Sequence, residues 1–262
     1  PIMAWQRRED NGISYYYSEL LTRFSWLAQG FSARWPELKV TERSTKGSIG
    51  ELTEKEAEAE NRRHFLAVFG LTADQTWLLK QVHGDVILAV EGPPSPGTTR
   101  PEADALVTNG RGVGLATIHA DCVPVVLVDP VRRVIGAVHA GWKGTLAGIA
   151  PKTLDVMAAK YGSVPSDCFA AIGPAIGPCC YRVTPERVAL FQKKWPQLDW
   201  EASRSNSTLD LPRINQELLV DYGLKPTRIE QSQLCTACRR ADFYSFRREQ
   251  TGQRMLSVVV MK

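Results

Sequence analysis

From Trp77 onward the chain is written as short apolar runs broken by Gly, Asp, Asn and Pro, the pattern of strands joined by turns. The spacing predicts strands over 77–83, 86–90, 104–108, 113–119, 123–129 and 134–139. The segment Gly92-Pro-Pro-Ser-Pro-Gly97 reads as a loop, because its prolines have no N–H for a sheet ladder. Over 143–161, Leu146, Ile149, Ala150, Leu154 and Met157 fall on one face at helical spacing and predict a single helix directly after a strand. A strand near 168–172 leads to Thr184-Pro185-Glu186, whose N-cap, N1 proline and acidic first turn predict a helix over 185–195. A helix over about 212–222 ends at Gly223, and strands follow around 229–235 and 254–261. Residues 1–60 are the least regular. Within them the aromatic run Tyr15-Tyr16-Tyr17 stands apart from a polar stretch, Glu51 to Asn61, that reads as a solvated helix leading into Arg62, Arg63, His64 and Phe65. Strands followed by helices, without repeat or long linker, point to an α/β chain organised as one domain over 1–262.

Composition narrows the partners. Hydrophobic residues make up 44% and charged residues 23% of 262, which excludes wholesale disorder. The net charge of +4 is mild and its cations are interleaved with acids, so nucleic acid is not an expected partner and an anionic small substrate would suffice to explain the balance. No run is long and apolar enough for a membrane span, and the first ten residues lack the apolar segment of a secretory signal. The expectation is a cytoplasmic protein with its six cysteines reduced and a monomer favoured; the start at Pro1 reads as a processed or partial N-terminus.

Candidate chemistry gathers at the predicted strand ends. His83 ends the run Trp-Leu-Leu-Lys-Gln-Val and precedes Gly84, while His139 ends Val-Ile-Gly-Ala-Val and precedes Ala140-Gly141. Cys122 lies at a similar junction before Val-Pro-Val-Val-Leu-Val. Two imidazoles and a thiolate match the donor preferences of zinc, and three protein ligands leave a position open for chemistry. Each residue also has a plainer reading as a buried, hydrogen-bonded or inert side chain. His119, three residues before Cys122, competes for the site, although straight strand alternation would set the two on opposite faces. Cys235-Thr-Ala-Cys238 reads as a buried pair at a corner, and Cys179-Cys180 as packing under a turn shaped by Gly177 and Pro178.

Six motifs occur in order: Gln81-Val-His-Gly84, Asp104-Ala-Leu-Val-Thr108, His119-Ala-Asp-Cys-Val-Pro-Val125, His139-Ala-Gly-Trp-Lys-Gly144, Ile172 to Cys179-Cys180-Tyr181, and Phe243-Tyr-Ser-Phe-Arg-Arg248 followed by Thr251-Gly-Gln-Arg254. On them the chain resembles the laccase-domain (YfiH-like) family, also called polyphenol oxidases, peptidoglycan-editing factors and purine nucleoside phosphorylases. The resemblance implies a layered α/β (α+β) sandwich of mixed sheets flanked by helices, and zinc held by His83, Cys122 and His139. It implies phosphorolysis of adenosine, guanosine, inosine and 5′-methylthioadenosine, and deamination of adenosine. Nucleoside and phosphate are then the partners. Arg247, Arg248 and Lys143 are candidates to position phosphate or substrate, since guanidinium forks and an ammonium suit its oxygens. Arg248 reads equally as a surface ion pair. Asp121, beside a presumed ligand, is a candidate for proton transfer or for orienting a histidine, with a turn-forming role as the alternative.

Three rivals remain. Cys122 as nucleophile with His139 as base would give a cysteine hydrolase, acting for instance on cell-wall precursors. A copper-dependent polyphenol oxidase fits the older family names, but a multicopper relay needs on the order of ten imidazoles and the chain has four, leaving room for a single copper only. A nucleoside-binding module without turnover is the third.

Overall fold

A computed structural model describes residues 5–35, 54–200 and 207–262. Its strands are β1 (Gln6–Asp10), β2 (Ile13–Tyr17), β3 (Leu27–Ser32), β4 (Thr76–Leu78), β5 (Ile87–Ala89), β6 (Ala105–Thr108), β7 (Gly114–His119), β8 (Val123–Asp129), β9 (Val134–Ala140), β10 (Phe169–Ile172), β11 (Ile229–Gln231) and β12 (Met255–Met261). Its helices are α1 (Glu54–Val68), α2 (Trp142–Ala147), α3 (Ile149–Tyr161), α4 (Pro185–Lys194), α5 (Leu211–Asp221) and the single turn α6 (Phe246–Glu249). One sheet has the order β1-β2-β3-β12-β7-β4 and the other β11-β10-β8-β9-β6-β5. Both are mixed: β4 runs parallel to β7, β5 to β6 and β11 to β10, while the remaining pairs are antiparallel.

The two-residue period of the central strands builds the layers. In β12, Met255, Val259 and Met261 join an apolar cluster with Leu106, Val126, Val128, Ile135 and Ala137 of the other sheet, so this cluster is the filling between the sheets. Leu256, Val258 and Val260 point the other way, onto Phe65 and Leu66 of α1. In β8 and β9, Val125, Leu127, Val134 and Val138 pack outward against Ile149, Leu154 and Met157 of α3 and residues of α4 and α5. A four-layer α-β-β-α sandwich results. Strands covered on both faces need continuous apolar runs, which explains Val123–Asp129 and Val134–Ala140. Each large aliphatic side chain so buried contributes about 1.5–3 kcal/mol.

Several expectations are corrected. Of the N-terminal residues expected to be irregular, 5–35 are regular and 1–4 and 36–53 lie outside the described residues: β1 and β2 form a hairpin whose two-residue turn, Asn11-Gly12, has both φ values positive (48° and 77°), the twist a tight hairpin requires. Asn-Gly was the available signal for it. The helix read over 51–61 runs from Glu54 to Val68, burying Phe65 and Leu66 in its last turns; 51–53 lie outside the described residues. The helix expected over 143–161 is two helices, because Gly148 adopts φ 76° and caps α2 before α3 begins. The strand expected over 77–83 ends at Leu78, and the one near 229–235 at Gln231. No described helix is long and apolar enough to cross a membrane.

Candidate metal centre

Three elements bring one donor each to the same end of the sandwich. In β9, His139 shares the inter-sheet face of Ile135 and Ala137 and is 3% exposed. Cys122 stands in the turn between β7 and β8, where Asp121 takes φ 87° and so directs the chain back on itself. His83 lies in the loop after β4 and not at a strand end as expected. Its φ is 60°, a left-handed conformation held by outside contacts.

Those contacts come from Asp104, at the start of β6. Its carboxylate accepts the backbone N–H groups of Val82 at 3.3 Å, His83 at 3.0 Å and Gly84 at 2.7 Å, and the Nδ1–H of His139 at 2.8 Å. Burial alone would raise the pKa of Asp104. The hydrogen bonds from His139 and the backbone, with the charge of His139, outweigh it and hold the carboxyl below its ordinary value. With Nδ1–H committed to Asp104, His139 presents Nε2 to its other neighbours.

The donor atoms of His83, Cys122 and His139 all lie within 4.8 Å of one another. The two rings stand nearly perpendicular, centroids 4.9 Å apart. Burial would raise the Cys122 thiol, but the charge of His139 and hydrogen bonds from both imidazoles bring it down to about 6. Burial would lower His139, and the opposing Cys122 charge with the Asp104 hydrogen bond lifts it to about 9. A thiolate beside an imidazolium is the arrangement a divalent cation replaces most readily, by displacing the imidazolium proton and sharing the thiolate. Space is kept by Gly141: a Cβ there would sit 2.9 Å from His83 Cδ2 and 3.3 Å from Cys122 Sγ. The residues therefore fit a mononuclear site with an N, S and N donor set, and Asp104 supplies the partner that fixes one ligand's tautomer.

His119 is not part of the trio. Leu115, Thr117 and His119 alternate on the inter-sheet face of β7, which leaves its ring 5.4 Å from that of His139 and its Nε2 2.7 Å from Thr117 Oγ1. Burial and the charge of His139 push it well below the ordinary histidine value, so it is neutral.

The trio floors a cleft of about 630 Å³. Trp142, Tyr181 and Phe246 give it aromatic walls, and Lys80, Arg100, Arg187, Arg247 and Arg254 border it. Arg187 lies over the Trp142 ring at 4.3 Å and Arg247 over Tyr181 at 5.0 Å. Asp121 is the lining carboxylate, and it accepts from Thr236 Oγ1 (2.7 Å), Ser245 Oγ (3.1 Å) and Arg247 N (2.7 Å). It thus fastens the Arg247 segment beside the centre, and among the described residues these hydrogen bonds go to no histidine.

Of the residues expected to hold substrate, Arg247 reaches the cleft. Arg248 is structural, its guanidinium donating to the carbonyls of Thr236, Ala237 and Phe243 and pairing with Glu249. Lys143 lies beyond the cleft, in an apolar hollow with Leu146 and Leu190. Sequence reasoning missed Asp104 and Arg187 as site residues. Asp104 opens a recognised motif and could have been found there; Arg187 follows an ordinary helix start and carries no signal. The readings of the remaining cysteines are also corrected: the turn at Cys179-Cys180 and the corner at Cys235–Cys238 meet, with all four sulfurs within 4.8 Å of one another.

Fold and centre together are those of an α/β sandwich protein with a candidate mononuclear metal site open to a small-molecule cleft. The chain belongs to the family described as multi-copper polyphenol oxidoreductase laccase, whose model matches residues 45–262. It is similar to the purine nucleoside phosphorylase of Deinococcus radiodurans, 40% identical over 77% of this chain and 76% of that one. It is similar to the purine nucleoside phosphorylase YlmD of Geobacillus stearothermophilus, 37% identical over 76% of this chain and 77% of that one. The human purine nucleoside phosphorylase LACC1 is 34% identical over 72% of this chain, a match that spans only 44% of the human protein. Among solved structures, YfiH of Bacillus licheniformis superposes with a TM-score of 0.79 at 30% identity, covering 98% of this chain and 99% of that one.

Proposed function

We propose that the chain is a zinc-dependent purine nucleoside enzyme, cleaving adenosine, inosine, guanosine or 5′-methylthioadenosine with phosphate and deaminating adenosine. The observation that carries the reading is the convergence of His83, Cys122 and His139 within 4.8 Å at the floor of a cation-bordered, aromatic-walled cleft. The names of the relatives support the substrate class. Zinc at these donors supplies a Lewis acid and lowers the pKa of water toward neutrality, the property deamination at C6 calls on.

The chain's own groups account for the rest. Trp142, Tyr181 and Phe246 offer faces on which a purine stacks. Arg187 and Arg247 hold phosphate near the ribose, where their forks match its oxygens. In phosphorolysis the C1′–N9 bond breaks, a phosphate oxygen bonds C1′, and the purine leaves with a proton. Tyr181 keeps its hydroxyl proton because burial raises it above the usual phenol value, against the lowering charge of Arg187, and it faces the cleft as a donor to the departing base. In deamination water adds its oxygen to C6 and ammonia departs. A reducing cytoplasm suits the six unpaired cysteines.

The test is incubation with adenosine, with and without phosphate, resolving products by chromatography. Adenine and ribose 1-phosphate forming only with phosphate, and inosine without it, are the expected results. Unchanged adenosine under both conditions, with zinc bound, would reject the reading.

One observation favours a second reading: Cys122, His139 and Asp104 form a thiol–imidazole–carboxylate chain, the layout of a cysteine hydrolase. Stoichiometric zinc in protein purified without added metal counts against it. Copper fits less well. His64 is exposed on α1 beside Glu60, and His119 is bonded to Thr117, so two of the four imidazoles share the centre and at most a single copper finds a seat.

A further inference from the structure

We propose that Cys179, Cys180, Cys235 and Cys238 form a second metal site, a tetrathiolate that binds one structural zinc ion. Cys238 Sγ lies 3.5 Å from Cys179 Sγ and 3.4 Å from Cys180 Sγ, and all four sulfurs fall within 4.8 Å of one another. A tetrahedral zinc with bonds of about 2.3 Å sets sulfurs about 3.8 Å apart, so the cluster needs only small adjustments to accept the ion. A pair of disulfides would look different. Each sulfur would approach one partner closely, whereas Cys238 is in contact with two, and the four are free thiols.

The backbone is shaped for thiolates. Gly177 N–H donates to Cys235 Sγ at 3.3 Å, the kind of bond that stabilises a metal-bound sulfur. The turn from Gly177 to Tyr181 is closed by Cys180 and Tyr181 N–H groups on the Gly177 carbonyl, and the facing corner is pinned by Thr236 N–H on Ala175 O. Four thiolates and two imidazole-free loops are a soft donor set, which selects zinc over magnesium or calcium. Binding displaces four thiol protons to solvent. Position gives the ion its use. Tyr181, in the cleft wall, follows Cys180 directly, and Thr236, between the other two cysteines, holds Asp121 beside Cys122. A zinc here clamps two segments that frame the cleft, and does so whether or not the cleft acts on nucleosides.

The test begins with the parent chain, purified under reducing conditions and weighed by native mass spectrometry alongside elemental analysis. Two zinc ions per chain are expected. The pair Cys235→Ser and Cys238→Ser together should retain one, and the pair His83→Ala and Cys122→Ala together should retain the other. With cobalt in place of zinc, the thiolate charge-transfer absorption should fall by about four-fifths in the first variant, since four of five metal–sulfur bonds belong to this cluster. A parent chain without zinc, a single zinc that stays in the Cys235→Ser and Cys238→Ser pair, or a mass lower by the hydrogens of a disulfide overturns the proposal; should the variants fail to fold, cobalt-loaded parent showing the charge-transfer intensity of only one metal–sulfur bond overturns it instead.

Discussion

The carboxylate of Asp104 and the imidazole of His139 meet through a 2.8 Å hydrogen bond with both side chains almost wholly buried. The same carboxylate grips the backbone around His83. One acid therefore fixes the tautomer of one candidate ligand and the left-handed backbone of another.

Asp104→Asn removes the charge and turns an acceptor into an N–H that must face one of four donors. Zinc affinity should fall by about 10- to 100-fold, the usual effect of losing such a partner. Competition with a chromophoric chelator measures it, with circular dichroism reporting that the fold persists. Undiminished affinity would show that Asp104 does not position the ligands.

Gly141→Ala tests crowding. The added methyl would lie 2.9 Å from His83 Cδ2, closer than real contacts allow, while the backbone itself (φ −68°) accepts alanine. Metal content and turnover should drop together with little loss of stability. Gly252→Ala, whose Cβ meets nothing within 4 Å, is the control. Equal behaviour of the two variants would mean that the ligands move freely.

What the sequence made legible follows from which residues act through their own side chains. His83, Cys122 and His139 stood out because few residue types bind zinc, and short apolar runs bounded by turn residues announced β8, β9 and β12. Less visible were features that depend on distant partners. Asp104 reads as an ordinary strand-start acid until the 82–84 loop folds onto it. Lys143 and Arg248 carry the right charge for phosphate, yet helix geometry points one away from the cleft and backbone carbonyls capture the other. The 143–161 helix was read through Gly148 because apolar periodicity continues across it; only the φ of 76° shows the break. The four cysteines look like two unrelated pairs until β10 and β11 lie side by side.

Arg187 and Arg247 are expected to serve phosphate. Losing one charged hydrogen bond costs about 1.5–3 kcal/mol, or roughly 10- to 100-fold. Arg187→Ala should raise the phosphate KM by that order while leaving phosphate-independent deamination near the parent rate. A phosphate KM that stays put would remove Arg187 from the phosphate site.

Cys122 supplies the sharpest separation of the two catalytic readings, because its titration differs with the metal. In the metal-free chain burial opposes ionisation, yet the neighbouring charge and hydrogen bonds of His139 bring the thiol to about 6 against an ordinary 9.0. The lowered value means the thiolate is already the major form at neutral pH. Alkylation of Cys122 by iodoacetamide after chelator treatment should therefore rise to half its plateau near pH 6, and not near 9. In His139→Asn the countercharge is gone and burial remains, so the half-rise must move upward. Stoichiometric zinc should suppress the reaction at every pH, since the lone pair that attacks is the one the metal shares. Rapid alkylation in zinc-replete protein, with turnover lost in proportion, would instead establish Cys122 as a free nucleophile and leave the hydrolase reading standing.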